Sequence, residues 1–209
     1  MAKRRRNEKQ LPAGRAGQAS ETTLRVVGGS MRGRKIKYSG DRTVRPMKDR
    51  TREAVFNLVG PAIKGMHGVD LFAGTGAMAI EAISRGAASA TLIERHLPSA
   101  RIIRENLESL DLQDKTQLIR GNAFVWDGAE ANSELPWCIF CCPPYKFFHD
   151  RLDQMSALIR RILQMSPIGS IFVAEAEVPF DFSPLEDVGD WDVRIYRPAV
   201  IGVLEKLAQ

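Results

Sequence analysis

The chain has no apolar run near the ~20 residues that a membrane span requires. Its basic opening is not followed by the apolar stretch of a secretory signal. Cysteine is scarce. The three thiols, Cys138, Cys141 and Cys142, crowd into one short stretch, and no second Cys or His pair completes a zinc set. Cys138 and Cys141 have C-x-x-C spacing, but on a strand residues three apart point to opposite faces. The pattern argues against a metal or disulfide role, and reduced thiols fit a cytoplasmic protein. Internal repeats are absent as well.

Acidic residues are few at the front. Residues 1–53 hold 16 Lys/Arg against 5 Asp/Glu, a net of +11, whereas residues 54–209 hold 14 against 20, a net of −6. A basic N-terminal quarter on an acidic body points to a polyanion, most simply nucleic acid. Residues 1–21 are polar and aperiodic, which predicts a disordered basic tail. Residues 22–60 should form a basic extension. "LRVVGG" and "RKIKY" flank "SMRGR" as a β-hairpin, and a helix opens near Asp49 and stops at Gly60-Pro61. Residues 61–209 then form the main domain, and 44% hydrophobic residues suffice for a full core.

In that main domain strand-like and helix-like segments alternate. "GVDLFAG", "ASATLIER", "TQLIRGNA", "WCIFCC" and "GSIFVAEAE" read as strands. "AMAIEAISRG", "PSARIIRENLESL" and "HDRLDQMSALIRRILQM" read as amphipathic helices. "WDVRIYRPAVIGVLEKL" adds two strands with no helix between them. The expected fold is α/β: a mostly parallel seven-stranded Rossmann-like sheet, covered on both sides, with an antiparallel edge and an N-terminal hairpin.

Ligands of such sheets lie across the carboxyl ends of the strands. The first strand ends in "VDLFAGTGAMAIE", where Gly74 and Gly76 allow close backbone approach to a ligand and a tight turn into a helix. Asp70 points at that turn. Glu94, 20 residues after Gly74, ends the second strand and is placed to accept two ribose hydroxyls. A glycine fingerprint of this kind is weak evidence and fits a dinucleotide fold almost as well. The third strand ends at Asn122-Ala123, and the fourth at Cys142-Pro143-Pro144-Tyr145. Paired prolines cannot continue a central strand, so this corner turns outward and displays a carbonyl and an aromatic ring.

These pieces resemble the methyltransferases that use S-adenosylmethionine and carry an Asp/Asn-Pro-Pro-Tyr/Phe motif. More closely, the chain resembles the bacterial 16S ribosomal RNA guanine-N2 methyltransferases of the small subunit. "LRVVGGSMRGRKI", "RPMKDRTREAVFN" and "DLFAGTGAMAIEAISRGA" carry the resemblance, which runs from about Leu24 to about Leu207. It implies a cofactor site at Asp70, Ala73, Gly74 and Gly76, with Glu94 on the ribose and Asn122 and Ala123 beside the adenine. Phe72 and Arg95, next to those residues, complete the expected set. It also implies an RNA-engaging extension, for which Arg25, Arg32, Arg34, Lys35, Arg45, Arg50 and Arg52 are candidates, with Lys146 beside the corner. The expected partner is 16S ribosomal RNA or the small ribosomal subunit, and the expected state is a monomer with neither metal nor membrane.

The chain departs from the motif at Cys142, where the resemblance expects Asp. Guanine's exocyclic amine is a poor nucleophile, so it must be held in line and offered hydrogen-bond acceptors. A carboxylate and the following Pro143 carbonyl would supply two, while Tyr145 stacks on a swung-out base. A thiol is a weak acceptor. Three rivals therefore remain: a silent RNA-binding relative, a nicotinamide-dependent oxidoreductase, and a DNA adenine methyltransferase. The Pro-Pro-Tyr corner and basic arm disfavour the oxidoreductase.

Overall fold

Strands buried on both faces are expected to be mostly apolar, and the central ones are buried almost throughout. β3 (His67–Asp70) and β6 (Trp137–Cys141) are buried at every residue, and β7 (Ile171–Glu177) at all but its last. The computed structural model describes residues 22–38, 40 and 46–208; the tail of residues 1–21 and Arg45 lie outside the described residues. β4 (Ser89–Ile93), β5 (Thr116–Ile119), β8 (Asp192–Tyr196) and β9 (Ala199–Glu205) complete a seven-stranded sheet in the order β5-β4-β3-β6-β7-β9-β8. The first five of these run parallel, and β9 is antiparallel to both β7 and β8. The expected antiparallel edge is thus a reversed strand one place in from the edge. Among the described residues no helix is long and apolar enough to cross a membrane.

Alternation along β6 divides the core in two. Cys138 and Phe140 pack on one face with Ile80, Ile103 and Phe56; Ile139 and Cys141 pack on the other with Phe148, Met155 and Ile159. The two C-x-x-C thiols therefore point apart, as strand geometry requires. The first face is covered by α1 (Asp49–Val59), α2 (Ala77–Ser84) and α3 (Leu97–Ser109), the second by α5 (Leu152–Met165). Ala100, Ile103 and Leu107 are buried along α3, with Leu110 just past its end. One expected helix is broken. A short α4 (Phe147–Asp150) precedes α5, and Arg151 between them leaves helical geometry at φ −141° and ψ 34° while Phe147 and Phe148 turn into the core.

The N-terminal hairpin pairs β1 (Thr22–Arg25) with β2 (Lys35–Tyr38), Arg25 opposite Lys35. Its loop closes on the end of α2: Ser30 N–H donates to the Ser84 carbonyl at 2.7 Å, and Ser84 Oγ donates to the Gly28 carbonyl at 2.6 Å. Gly29 sits there at φ +74°, and a Cβ on it would lie 1.9 Å from the Ser84 carbonyl oxygen. Only glycine fits.

Beside this contact lies a buried charge cluster. The Glu81 carboxylate, fully buried on α2, accepts the amides of Val27 and Gly28 at 2.7 Å each and Arg85 Nε at 2.9 Å. Arg52 on α1 is also fully buried, its Nε 3.5 Å from Glu81 and its Nη2 donating to the Arg25 carbonyl at 2.6 Å and to Asp49 at 2.9 Å. This corrects the expectation that Arg52 contacts RNA. A guanidinium with no accessible surface joins the extension to the sheet domain instead.

Candidate active site

The strand ends converge as their sequence predicts. Leu71 N–H bonds the Phe140 carbonyl at 3.0 Å, and Ala73 N–H bonds the Ile93 carbonyl at 3.0 Å, so the turn after β3 lies between the ends of β6 and β4. Gly74 and Gly76 hold left-handed backbone at φ +54° and φ +76°, which L side chains rarely adopt. The reason for Gly76 differs from the expected one. A Cβ there would meet Ile103 at 3.3 Å and Leu92 at 3.4 Å, so its hydrogen faces the protein core. Gly76 is required by the turn and the α3 packing rather than by ligand approach.

Glu94 is brought to that turn. One carboxylate oxygen accepts Gly74 N–H at 2.7 Å and the other accepts His96 N–H at 2.7 Å. Each oxygen keeps a second lone pair for a hydroxyl. Asp70 is buried, and neither of its oxygens has a hydrogen-bond partner of ordinary geometry among the described residues. Burial first, and then the Glu94 charge, push its pKa up to about 7, which the nearby Phe72 and Ala79 amides only partly oppose. An orphaned buried carboxylate beside a glycine turn fits a cationic or hydrogen-donating ligand group. Those residues suit the amino-acid and ribose parts of S-adenosylmethionine.

Ala73 and Ala123 are buried, Asn122 and Arg95 are exposed, and Asn122 Oδ1 accepts Phe124 N–H at 3.2 Å. Arg161 on α5 holds this third strand end, donating to the Ala123 carbonyl at 2.9 Å and to the Trp126 carbonyl. The half-buried rings of Phe72 and Phe124 meet at 5.9 Å, and both touch buried Phe147, at 6.1 and 5.9 Å. This aromatic cluster links three strand ends. Phe124 was not among the sequence candidates, although it follows Asn122-Ala123 directly.

At the fourth strand end Cys142 is half-buried, Pro143 buried and Pro144 exposed. The Pro144 and Tyr145 carbonyls accept Phe147 and Phe148 N–H at 2.8 and 3.2 Å, starting α4. No described residue donates to the Pro143 carbonyl. Burial, and next the Glu175 and Asp70 charges, hold the Cys142 thiol well above its ordinary pKa, so it is protonated. Tyr145 is half-buried, and its hydroxyl donates to Glu175 at 2.8 Å. Glu175 also escaped the sequence reading. An acidic residue at the end of an apolar strand was its signal, the same one that marked Asp70 and Glu94.

The RNA candidates scatter. Arg25 is 68% exposed but paired with Asp49 at 2.8 Å; Arg32, Lys35, Arg50 and Lys146 are exposed. Arg34 donates to the Ser109 carbonyl at 3.1 Å, at the last residue of α3.

The family model described as conserved hypothetical protein 95 matches residues 24–190. YlbH of Bacillus subtilis, provisionally named an rRNA methyltransferase, is 34% identical over 171 residues, covering 80% of this chain and 89% of its own. Ribosomal RNA small subunit methyltransferase D of Escherichia coli is 34% identical over 123 residues, covering 59% of this chain; the match spans 61% of that relative's length. Among solved structures, yhhF of Escherichia coli, provisionally named a methyltransferase, superposes with a TM-score of 0.70 at 27% identity. That superposition covers 90% of this chain and all of the other. A Thermus thermophilus 16S rRNA N2 methyltransferase, solved with S-adenosylmethionine and guanosine, shares the fold at a TM-score of 0.66 and 20% identity. It covers 89% of this chain and 50% of its own.

Proposed function

Given that the chain belongs to the family described as conserved hypothetical protein 95, we propose that it transfers a methyl group from S-adenosylmethionine to the N2 amine of a guanine in small-subunit ribosomal RNA. One observation carries this reading: the Asp70, Gly74 and Glu94 cradle and the Cys142-Pro143-Pro144-Tyr145 corner stand on neighbouring strands, at the same end of the sheet.

S-Adenosylmethionine supplies an electrophilic methyl on a sulfonium. Asp70 and Glu94 hold its amino-acid and ribose ends, and Asn122 and Ala123 flank the adenine. Tyr145 stacks on the target base, a contact worth roughly 1–3 kcal/mol. The Pro143 carbonyl accepts one N2 proton and fixes the amine in line for attack. Exposed Arg32, Lys35, Arg50 and Lys146 bind phosphates, and Arg45 joins them on charge alone. The protein works as a cytoplasmic monomer on 16S RNA or the small subunit.

Cys142 specifically favours a second reading, a silent RNA-binding relative, because its protonated thiol offers little to the amine. Incubation with methyl-labelled cofactor and small subunits lacking the modification, followed by nucleoside analysis, decides between them. Labelled N2-methylguanosine supports methyl transfer, and RNA binding without label supports the silent relative.

A further inference from the structure

A carboxyl group on a central strand needs a reason, because burying one strips it of water. β7 is apolar and buried from Ile171 to Ala174, and it faces Ile201 of β9 at Glu175. Glu175 nevertheless sits there with only 6% of its surface exposed.

The register explains where that charge points. β6 and β7 run parallel with Cys141 opposite Ala174, so the next step places Cys142 beside Glu175. Phe140 and Val173, two residues back on each strand, share one core face, and Cys142 packs against the same cluster. Cys142 and Glu175 are thus neighbours on one face, at the strand ends where the target base is received. Glu175 also holds the Tyr145 hydroxyl at 2.8 Å, which ties it to the ring expected to carry that base.

We propose that Glu175 supplies the anionic acceptor for the target amine that Cys142 does not, so that the motif's missing carboxylate is replaced from the adjacent strand. This rests on the methyl-transfer reading above. In the step itself the N2 lone pair forms the new N–C bond as the S–C bond breaks, leaving a neutral thioether. The extra proton on nitrogen passes to the Glu175 carboxylate and from there to solvent. The elevated pKa of the Cys142 thiol agrees with a carboxylate this close, since Glu175 follows burial among its causes.

The test is a set of single-turnover methyl transfers to unmodified small subunits, with cofactor affinity measured by calorimetry. Glu175→Gln keeps an acceptor for Tyr145 but removes the charge; the rate should fall roughly 10–100-fold with cofactor affinity unchanged. Cys142→Asp alone should lower the rate, by roughly threefold or more, because adjacent carboxylates cannot both ionise freely and the acceptor at Glu175 loses part of its charge. The double variant Cys142→Asp/Glu175→Gln should recover to within about threefold of wild type, which a purely structural Glu175 would not do. A Glu175→Gln rate within about twofold of wild type, or no recovery in the double variant, overturns the proposal. Should Glu175→Gln fail to fold, Cys142→Asp decides alone: a rise of about tenfold or more shows that the acceptor position was empty. A wild-type protein that transfers no methyl overturns the functional reading and this proposal together, whereas an active wild type with an indifferent Glu175 overturns only the latter.

Discussion

Replacing Arg52 with methionine separates an architectural arginine from an RNA-binding one. Arg52→Met keeps much of the volume and the helix propensity, but removes the guanidinium that reaches the Arg25 carbonyl at 2.6 Å, Asp49 at 2.9 Å and Glu81 at 3.5 Å. Breaking one side of a buried ion pair costs about 3–5 kcal/mol, because the remaining charge stays buried. Arg85, 2.9 Å from the same carboxylate, softens that loss. The Arg25 carbonyl also loses a part-buried hydrogen bond, worth about 1 kcal/mol. The expected net is about 3–5 kcal/mol. For a chain of this size that lowers the melting temperature by roughly 6–20 °C, at about 2–4 °C per kcal/mol. Calorimetric melting checks it, with Arg50→Met as the control. Arg50 is exposed on the same helix and should move stability by no more than about 0.5 kcal/mol. An Arg52→Met protein that melts within about 2 °C of wild type would falsify the buried anchor.

Three other outcomes are expected. Asp70 holds its proton to about pH 7 when folded but to about 3.8 when unfolded, so its contribution to stability falls as pH rises through that window. Asp70→Asn, without cofactor, should therefore gain on wild type from pH 4 to 7, by at most about 4 kcal/mol; urea melts at both pH values measure this. His67, whose pKa burial lowers to about 4, gives the opposite slope below 6.5, and cancels in the comparison because both proteins retain it. Gly76→Val should unfold the protein rather than merely weaken cofactor binding, since it forces φ +76° on a β-branched residue and crowds Ile103; a native melting curve with lost binding would contradict the geometry. Neutralising Arg32 and Lys35 should lower the log–log salt slope of RNA binding by about 0.7–0.9 for each phosphate no longer neutralised, and an unmoved slope puts the RNA surface elsewhere.

What could be read in the sequence was local. The glycine turn, Asp70, Glu94 and the two-proline corner each announce themselves within a few residues, because backbone conformation and strand ends are decided over short spans. Strand–helix alternation then placed them at one end of the sheet. Arg52 misleads because its partner Glu81 lies on another helix, and nothing near "RTREAV" indicates burial. Arg34 is drawn toward the RNA by charge alone, yet its position follows from the docking of the hairpin on Ser84 and Ser109. Gly76 stands out as a turn glycine, but its side-chain direction depends on Ile103 of the next helix. Glu175 acquires its meaning only from β6–β7 register, which no single segment encodes.

The reversed β9 also sets an order of assembly during synthesis. β7 finds β6 on one side as soon as it is made, but its other side must wait for residues 199–205, after β8 has already left the ribosome. Until then "IFVAEAE" is a bare, mostly apolar strand edge, the kind that pairs with other chains. A chain halted before Ala199 should accordingly aggregate rather than fold. The corner built from Cys142, Tyr145 and Glu175 then takes its final form only when β9 has emerged, so a half-made enzyme holds no working site beside the ribosome that produces it.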